Sequence, residues 1–457
     1  MRHLGLTLAP VLLLALMLMT GCSQTASQAS CPAPDRTCAS AVPAQNRDRA
    51  NLGPLSQSTG QTAEVRASLA RQGAASSEID SARAMSRPTV SLEANYKLTP
   101  LQNGTRNLSG NEQSTALVMD IPIYQGGRDT AALALAYSNY RASSATTATT
   151  FLSVSVAILS SDLELRRQDR TKAILTQHGK ALAQLRRAVA SEQTEGSATR
   201  VDITDVDRQL LQIELNQRQS SLQRLEAERT LARLRAPASI EASMMLAKLE
   251  SRFPKAVAEL QSLAAANNPR IAARQAEIEA AYARLSQADA AYKPRLGLRI
   301  SAGLDRENYG QSDNSTDASA TLNFSMPLYT GGAREASLRS REKEIEAATF
   351  DKHAILQDVG TTLAASMQRL ETARAILALA QKQESGARMR SVGVKTEREL
   401  GERSVFDEIR AISDIADAQL AVNNARYEAD MARLTIAAEC GLLSDDSISP
   451  AVQISGL

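Results

Sequence analysis

Apolar and polar residues alternate strictly in four short stretches of this chain and recur at helical spacing almost everywhere else. In residues 89–96, Val90, Leu92, Ala94 and Tyr96 alternate with Thr89, Ser91, Glu93 and Asn95. In residues 115–121, Leu117, Met119 and Ile121 alternate with Ala116, Val118 and Asp120. Further on, Leu296, Leu298, Ile300 and Ala302 alternate with Arg295, Gly297, Arg299 and Ser301, and Ala320, Leu322, Phe324, Met326 and Leu328 alternate with Ser319, Thr321, Asn323 and Ser325. Period-two alternation marks strands with one apolar face. Strands are predicted at about 89–96, 115–123, 295–303 and 318–328, with the polar segments 97–114 and 304–317 as loops.

The rest reads as helix. A first helix is expected from about 61 to 87, stopped by Pro88. No proline interrupts residues 123–236 or 328–449, and both stretches are dense in Ala, Leu, Gln, Arg and Glu, the strong helix formers. One glycine breaks each, Gly196 and Gly401. Each stretch is therefore a helical hairpin, at about 128–236 and 333–440, with its tip at that glycine. An arm of roughly 64 residues would be about 95 Å long, too long for a compact globule, so it must pack lengthwise as a coiled coil. Leu175, Leu182, Leu185 and Val189 form one seam, and Ile409, Ile412, Ile415 and Leu420 another.

These elements come in two copies. Pro122-Ile123-Tyr124-Gln125-Gly126-Gly127 recurs as Pro327-Leu328-Tyr329-Thr330-Gly331-Gly332. Nearly the same offset carries Arg87-Pro88 onto Lys293-Pro294, Gly196 onto Gly401 and Asp202 onto Asp407. A repeat this long is a duplicated unit, not a solenoid of short ones. The domains expected are a first repeat at 61–253, a second at 254–443 and a C-terminal tail at 444–457.

The N-terminus is of another kind. Arg2 and His3 precede an apolar run over residues 4–19, which ends in Thr20-Gly21-Cys22. Residues 1–21 read as a signal peptide, too short for a membrane span and ending in a processing site. Met19-Thr20-Gly21-Cys22 resembles a bacterial lipobox, which implies lipidation at Cys22; the alternative is an ordinary signal cleaved nearby. Residues 22–60, rich in Ser, Ala, Gln, Pro and Asn, read as a flexible tether. Cys31 and Cys38 could pair in an oxidising compartment or remain free thiols, and Cys440 reads as a packed residue.

Composition excludes several classes. A formal net charge of +2 implies no polyanion partner, and no basic patch interleaved with aromatics points to nucleic acid. With 3 histidines in all, a His-based metal or catalytic site has little support. No nucleophile–His motif, metal-ligand cluster or phosphate-cradling loop is visible, so no catalytic residue, metal or cofactor is expected. Past the signal no 18-residue apolar run occurs, so no transmembrane helix is predicted. A membrane β-barrel needs only about ten alternating residues per strand. Four strands cannot close such a barrel, and open edges in lipid are costly, so a barrel would require a homo-oligomer. Three copies would give about twelve strands. The competing reading is a small periplasmic sandwich packed by the same apolar faces.

Taken together, the paired Pro-x-Tyr-x-Gly-Gly motifs, the Arg/Lys-Pro helix ends and the long hairpins resemble the TolC family of outer-membrane channel proteins. So do residues 400–407 (Leu-Gly-Glu-Arg-Ser-Val-Phe-Asp), Asn424-Ala425-Arg426-Tyr427 and Cys440-Gly441-Leu442-Leu443. The resemblance covers about residues 61–443. It implies a mainly α protomer with a small β part, trimerising into a twelve-stranded barrel in the outer membrane and a twelve-helix periplasmic tunnel. It also implies a periplasmic adaptor protein and an inner-membrane ABC or RND transporter as partners. Pro122, Gly126, Gly127, Pro327, Gly331 and Gly332 would form the barrel-to-helix junction, where a strand end tolerates proline and glycine permits a sharp turn. Gly196, Ser197, Gly401, Glu402 and Ser404 would be adaptor-contacting tips. Arg403 and Asp407 fall at gate positions, where three copies of Asp407 would form an anionic ring with raised pKa. Arg410 and Arg398 replace a second acid and an aromatic of some relatives. Their presence suggests a gate held by ion pairs, with Asp202, Asp205 or Asp207 as partners for Arg398 or Arg403; the plainer alternative is solvated coiled-coil charges. The Gly-Glu-Arg-Ser-x-x-Asp tip resembles that of type I secretion members, which implies protein export. The lipobox is more typical of drug or metal efflux members, and a periplasmic adaptor is the contrasting class.

Overall fold

The computed structural model describes residues 53–103, 106–236, 241–251, 253–254, 256–308 and 312–443. The expected signal peptide, Cys22, Cys31, Cys38 and the tail at 444–457 lie outside the described residues.

Four strands form one antiparallel sheet in the order β1-β2-β3-β4: β1 Thr89–Asn103, β2 Arg106–Tyr124, β3 Arg295–Asn308 and β4 Ser312–Ser325. The two halves of the duplication thus meet at the β2–β3 ladder, where Met119 lies opposite Ile300. The ladders place Val90, Leu92, Tyr96, Leu117, Met119, Leu298, Ile300, Leu322 and Phe324 on one face. The opposite face is polar: Arg299 binds Glu93 at 2.9 Å, Lys97 lies 3.7 Å from Glu112, and the Ser301 and Ser319 hydroxyls are 2.8 Å apart. The hairpins run further than the alternation predicts, because the segments expected as loops continue the ladder. Thr99 pairs Gly110 and Glu307 pairs Asp313. Backbone pairing needs no apolar face, so a strand whose two faces are both polar leaves no alternation to read. β4 also stops at Ser325, three residues short of the expected end.

Nine helices are described: α1 Gly53–Gly60, α2 Ala63–Ala84, α3 Arg128–Thr194, α4 Arg200–Arg233, α5 Ala242–Glu250, α6 Val257–Asn267, α7 Pro269–Ala290, α8 Ala333–Glu399 and α9 Val405–Glu439. α3 and α8 are equivalent across the duplication and each has 67 residues, about 100 Å of helix. α1 corrects the sequence reading: residues 53–60 are helical rather than tether. Leu55 and Thr59 are buried, and the Thr59 hydroxyl lies 3.4 Å from that of Ser155 on α3.

The core is distributed along the long axis. About midway along α3 and α8, α5 and α6 pack against the long helices. Leu246 and Leu249 pack with Phe151, Ile158 and Leu159 of α3 and Leu434 of α9. Leu260 and Ala264 pack with Val359, Leu363 and Leu370 of α8 and Ile436 of α9. Two buried amides near this region are well paired, as burial favours. Buried Gln168 accepts from Ser220 at 2.7 Å and donates to Gln223 at 2.8 Å. Asn268 caps α7 and donates to the Glu439 carbonyl at 2.9 Å, fastening the end of α9. α3 holds one 18-residue window long and apolar enough to cross a membrane by composition, which the sequence reading did not predict. More than half of that window is buried inside the protein, as in a core helix.

Candidate functional site at the hairpin tips

Both hairpins reverse by the same local chemistry. α3 is capped by Glu195, and Gly196 follows with φ 82°; α8 is capped by Leu400, and Gly401 follows with φ 81°. Ser197 N–H donates to the Glu192 carbonyl at 2.9 Å, and Glu402 N–H to the Glu397 carbonyl at 2.8 Å. This is the Schellman closure, in which glycine takes the left-handed position after the cap. Each return helix then opens with a capping box. Thr199 and Asp202 exchange hydrogen bonds at the start of α4, and Ser404 and Asp407 do so at the start of α9.

Asp407 is thus first a capping residue. Its Oδ2 accepts from the Ser404 hydroxyl at 2.8 Å and from the Ser404 N–H at 3.2 Å. The bond from the Ser404 side chain, then that from its backbone, hold the carboxyl below the usual aspartate range, with Arg403 adding to them. Within one chain Asp407 is therefore acidic, opposite to the raised value expected of a close ring. Asp202 has the same role at the first tip.

The expected pairing of Arg398 and Arg403 with Asp202, Asp205 or Asp207 is corrected. Arg398, 10% exposed, reaches across the tips between two glutamates. Its guanidinium binds Glu192 of α3 at 2.7 Å and also pairs with Glu408 of α9, which is 8% exposed. Burial lowers the Arg398 pKa, but the hydrogen bond that Arg398 donates to Glu192 and the charge of Glu408 outweigh it, and the net shift is upward. Arg403 binds Glu397 on its own hairpin at 2.8 Å. Asp207 binds Arg186 at 2.5 Å, and Asp205 lies 3.9 Å from Arg208. Arg410 is exposed, with its guanidinium 5.8 Å from the Phe406 ring. The reason is geometric. Glu408 follows Asp407 directly, and the helical turn that aims Asp407 at its own cap swings Glu408 round to Arg398, which in turn reaches Glu192 of the other hairpin.

The apolar seam behind the tips joins the hairpins. Leu175, Leu182, Leu185 and Val189 of α3 pack with Val206 and Ile213 of α4 and with Val405 and Ile409 of α9. Ile412 and Leu420 lean against this cluster. His178 lies in the α3–α9 contact, its Nε2 3.4 Å from the Ser413 hydroxyl. Burial pushes its pKa down, against the opposing charge of Asp417. Glu192 and Glu408 were not singled out from the sequence. The available signal was a charged residue in the Val405–Ile409 stretch, one position beyond the capping acid. Among the described residues no group of three or more His, Cys, Asp or Glu could hold a metal. Burial pushes the Cys440 thiol up to about 12, which leaves it packed and inert.

A two-repeat protomer with matched Schellman tips and one meander sheet is the pattern of a known family. The model of that family, outer membrane efflux protein, matches residues 55–236 and 260–442. The chain belongs to the outer membrane efflux protein family. Its place is the outer membrane, and the family is one of efflux proteins rather than enzymes. The outer membrane efflux protein BepC of Brucella suis biovar 1 (strain 1330) is 24% identical over 276 residues, 59% of this chain and 60% of that protein. The chain thus spans about three fifths of that relative, and 44% of the outer membrane protein TolC of Salmonella enteritidis, to which it is 24% identical over 218 residues. A membrane protein from Pseudomonas aeruginosa superimposes with TM-score 0.73 at 17% identity, covering 86% of this chain and 94% of that one. The outer membrane protein VceC of Vibrio cholerae superimposes with TM-score 0.71 at 17% identity, covering 86% and 96%.

Proposed function

We propose that this efflux-family chain is the exit duct of a tripartite export system, a passive trimeric channel that joins a periplasmic adaptor and, through it, an inner-membrane ABC or RND transporter. The observation that carries this reading is a sheet with one apolar face and two open edges, continuous with two 67-residue helices. On β1 the apolar positions run from Val90 to Leu98, a span of about nine residues, which suits a tilted strand crossing a bilayer. Lipid would meet this face, and water the face of Glu93, Lys97 and Arg299. β1 and β4 cannot stay unpaired in lipid. Because the strands alternate in direction, β4 of one copy meets β1 of the next antiparallel, and three copies close a barrel of about twelve strands. The long helices continue as the tunnel wall, and the tips would carry the gate and the adaptor contact.

The cargo we infer is polypeptide exported by type I secretion, supported by the Gly401-Glu402-Arg403-Ser404 tip followed by Asp407. The second reading, small-molecule or metal efflux, is favoured by the lipobox-like residues 19–22 and by the relative named as an efflux protein. Mass spectrometry of the extracellular proteome of a deletion strain tests the choice. Selective loss of one or a few large secreted proteins is expected; an unchanged secretome with new sensitivity to small toxicants would sink secretion and favour efflux.

A further inference from the structure

The duplication relates the two halves residue by residue, and one contact of the first half has no counterpart among the described residues. Pro88 maps onto Pro294, an offset of 206, and Pro122 onto Pro327, an offset of 205. These offsets carry the pair Thr89–Asp120 onto Arg295–Ser325, which is the observed start of the second ladder. They also carry α2 onto α7, each of 22 residues, and α3 onto α8. The relation therefore holds for backbone pairing as well as for sequence.

At the first junction, Gly126 sits directly on the second repeat. A Cβ there would lie 2.7 Å from Lys293 Cβ and 3.1 Å from the Pro294 carbonyl oxygen. At the second junction, Gly331 has the same left-handed backbone, φ 60° against 65°, but nothing lies within 4 Å of its Cβ position. The residues before it are correspondingly bare: Leu328 and Tyr329 are 89% and 90% exposed, against 53% for both Ile123 and Tyr124. The residues that should fill the seat are the equivalents of Lys293 and Pro294, namely Arg87 and Pro88. In the same chain these lie at the opposite edge of the sheet.

We propose that Gly331 is seated by Arg87 and Pro88 of a second copy of this chain, and that β4 pairs with the second copy's β1 in the register inherited from β2–β3. The inference rests on the trimeric reading above and adds the contact and the register. Met119 opposite Ile300 becomes Phe324 opposite Ala94 of the partner subunit, and the neighbouring pairs follow. Asn323 meets the partner's Asn95, Leu322 the partner's Tyr96, and Ser325 the partner's Glu93. The irregularity between Pro122 and Tyr124 maps onto Pro327 and Tyr329, placing Tyr329 beside the partner's Val90. This register keeps apolar residues on one face across the joint. A slip of one residue would reverse the faces, so a slip of two is the real competitor.

Paired cysteines test it in the full-length protein in outer membranes, with Cys31 and Cys38 replaced by serine. The in-register pairs are Asn323→Cys with Asn95→Cys, Thr321→Cys with Lys97→Cys, and Ser325→Cys with Glu93→Cys. All lie on the polar face, and three pairs guard against one that fails to fold. Directly opposed residues are about 4.5–5.5 Å apart at Cα, within disulfide reach, whereas diagonal ones are about 7–8 Å apart. Mild oxidation should give covalent dimers and trimers on non-reducing gels, forming about tenfold faster than with the slipped pairs Asn323→Cys with Glu93→Cys or Lys97→Cys. Faster linking of a slipped pair overturns the register and seat and leaves the trimer standing. No link in any pair, from protein that migrates as an oligomer before heating, also overturns the contact. Protein that is unlinked and monomeric before heating overturns the trimeric reading with it.

Discussion

Arg398 carries the strongest residue-level consequence. Exposed ion pairs such as Arg403–Glu397 contribute little, because water and salt screen them. Arg398 differs because it is nearly covered and faces two carboxylates from two helices. Taking away one member of a buried pair costs about 3–5 kcal/mol, since the remaining charges stay behind unpaired. Arg398→Met should therefore free the tips from one another, lowering thermal stability and raising single-channel conductance in planar bilayers. Unchanged conductance and an unchanged melting curve would remove Arg398 from the gate. Asp407 should behave differently. Its cap hydrogen bonds are local, so Asp407→Asn should leave folding nearly intact while lowering cation preference if three copies line the constriction. An identical reversal potential in a salt gradient would show that Asp407 is only a cap. The sequence made Asp407, Arg403 and Arg398 visible as charged tip residues. It did not reveal that Arg398 binds Glu192, because the two are 206 positions apart and meet only when the hairpins pack.

At the scale of elements, the hairpins are held by an apolar seam and by the turn chemistry at their ends. Leu182 is fully buried in that seam. Leu182→Ala should destabilise the protein by about 2–5 kcal/mol through lost burial and the cavity left behind. A loss below about 1 kcal/mol in thermal or denaturant unfolding would mean that the seam carries little of the stability. His178 should make the α3–α9 contact sensitive to acid. Its folded pKa is depressed by burial, while the unfolded value is about 6.5. As pH falls, the unfolded chain takes up the proton first. The stability present above about pH 6.5 is lost as pH drops from there toward the folded value, and no more is lost below it. His178→Gln should flatten the melting-temperature profile in that window, and a variant with the wild-type slope would clear His178 of the effect. The groups facing it are Ser413 and Asp417, and the negative charge of Asp417 moderates the shift without reversing it.

At the scale of the whole molecule, one chain leaves too much apolar surface uncovered to be complete. Leu92, Tyr96, Leu322 and Phe324 are 58–71% exposed on the sheet. Leu211, Leu215 and Leu222 on α4 and Leu379 and Met389 on α8 are exposed on the helices. Apolar patches of this extent mark interfaces with protein or membrane. The protein extracted in mild detergent should therefore run as an SDS-resistant trimer that heat converts to monomer. A monomer in gentle extraction would contradict the trimeric duct.

Much of the architecture is set by local sequence. Alternation placed the strands, proline-free runs placed the helices, glycine placed the reversals, and repetition of all three revealed the duplication. Each of these signals acts over a few residues, through backbone conformation or through the period of an element, so each can be read in a linear chain. Tertiary structure decided the rest. It showed that the polar hairpin ends stay in the ladder, that residues 53–60 fold as a helix against α3, and that Arg398 binds Glu192 and Glu408. It also showed that Gly126 is seated while Gly331 is bare. Those outcomes depend on which distant surfaces meet, and the energies of burial and charge pairing that settle them exist only once the helices have packed.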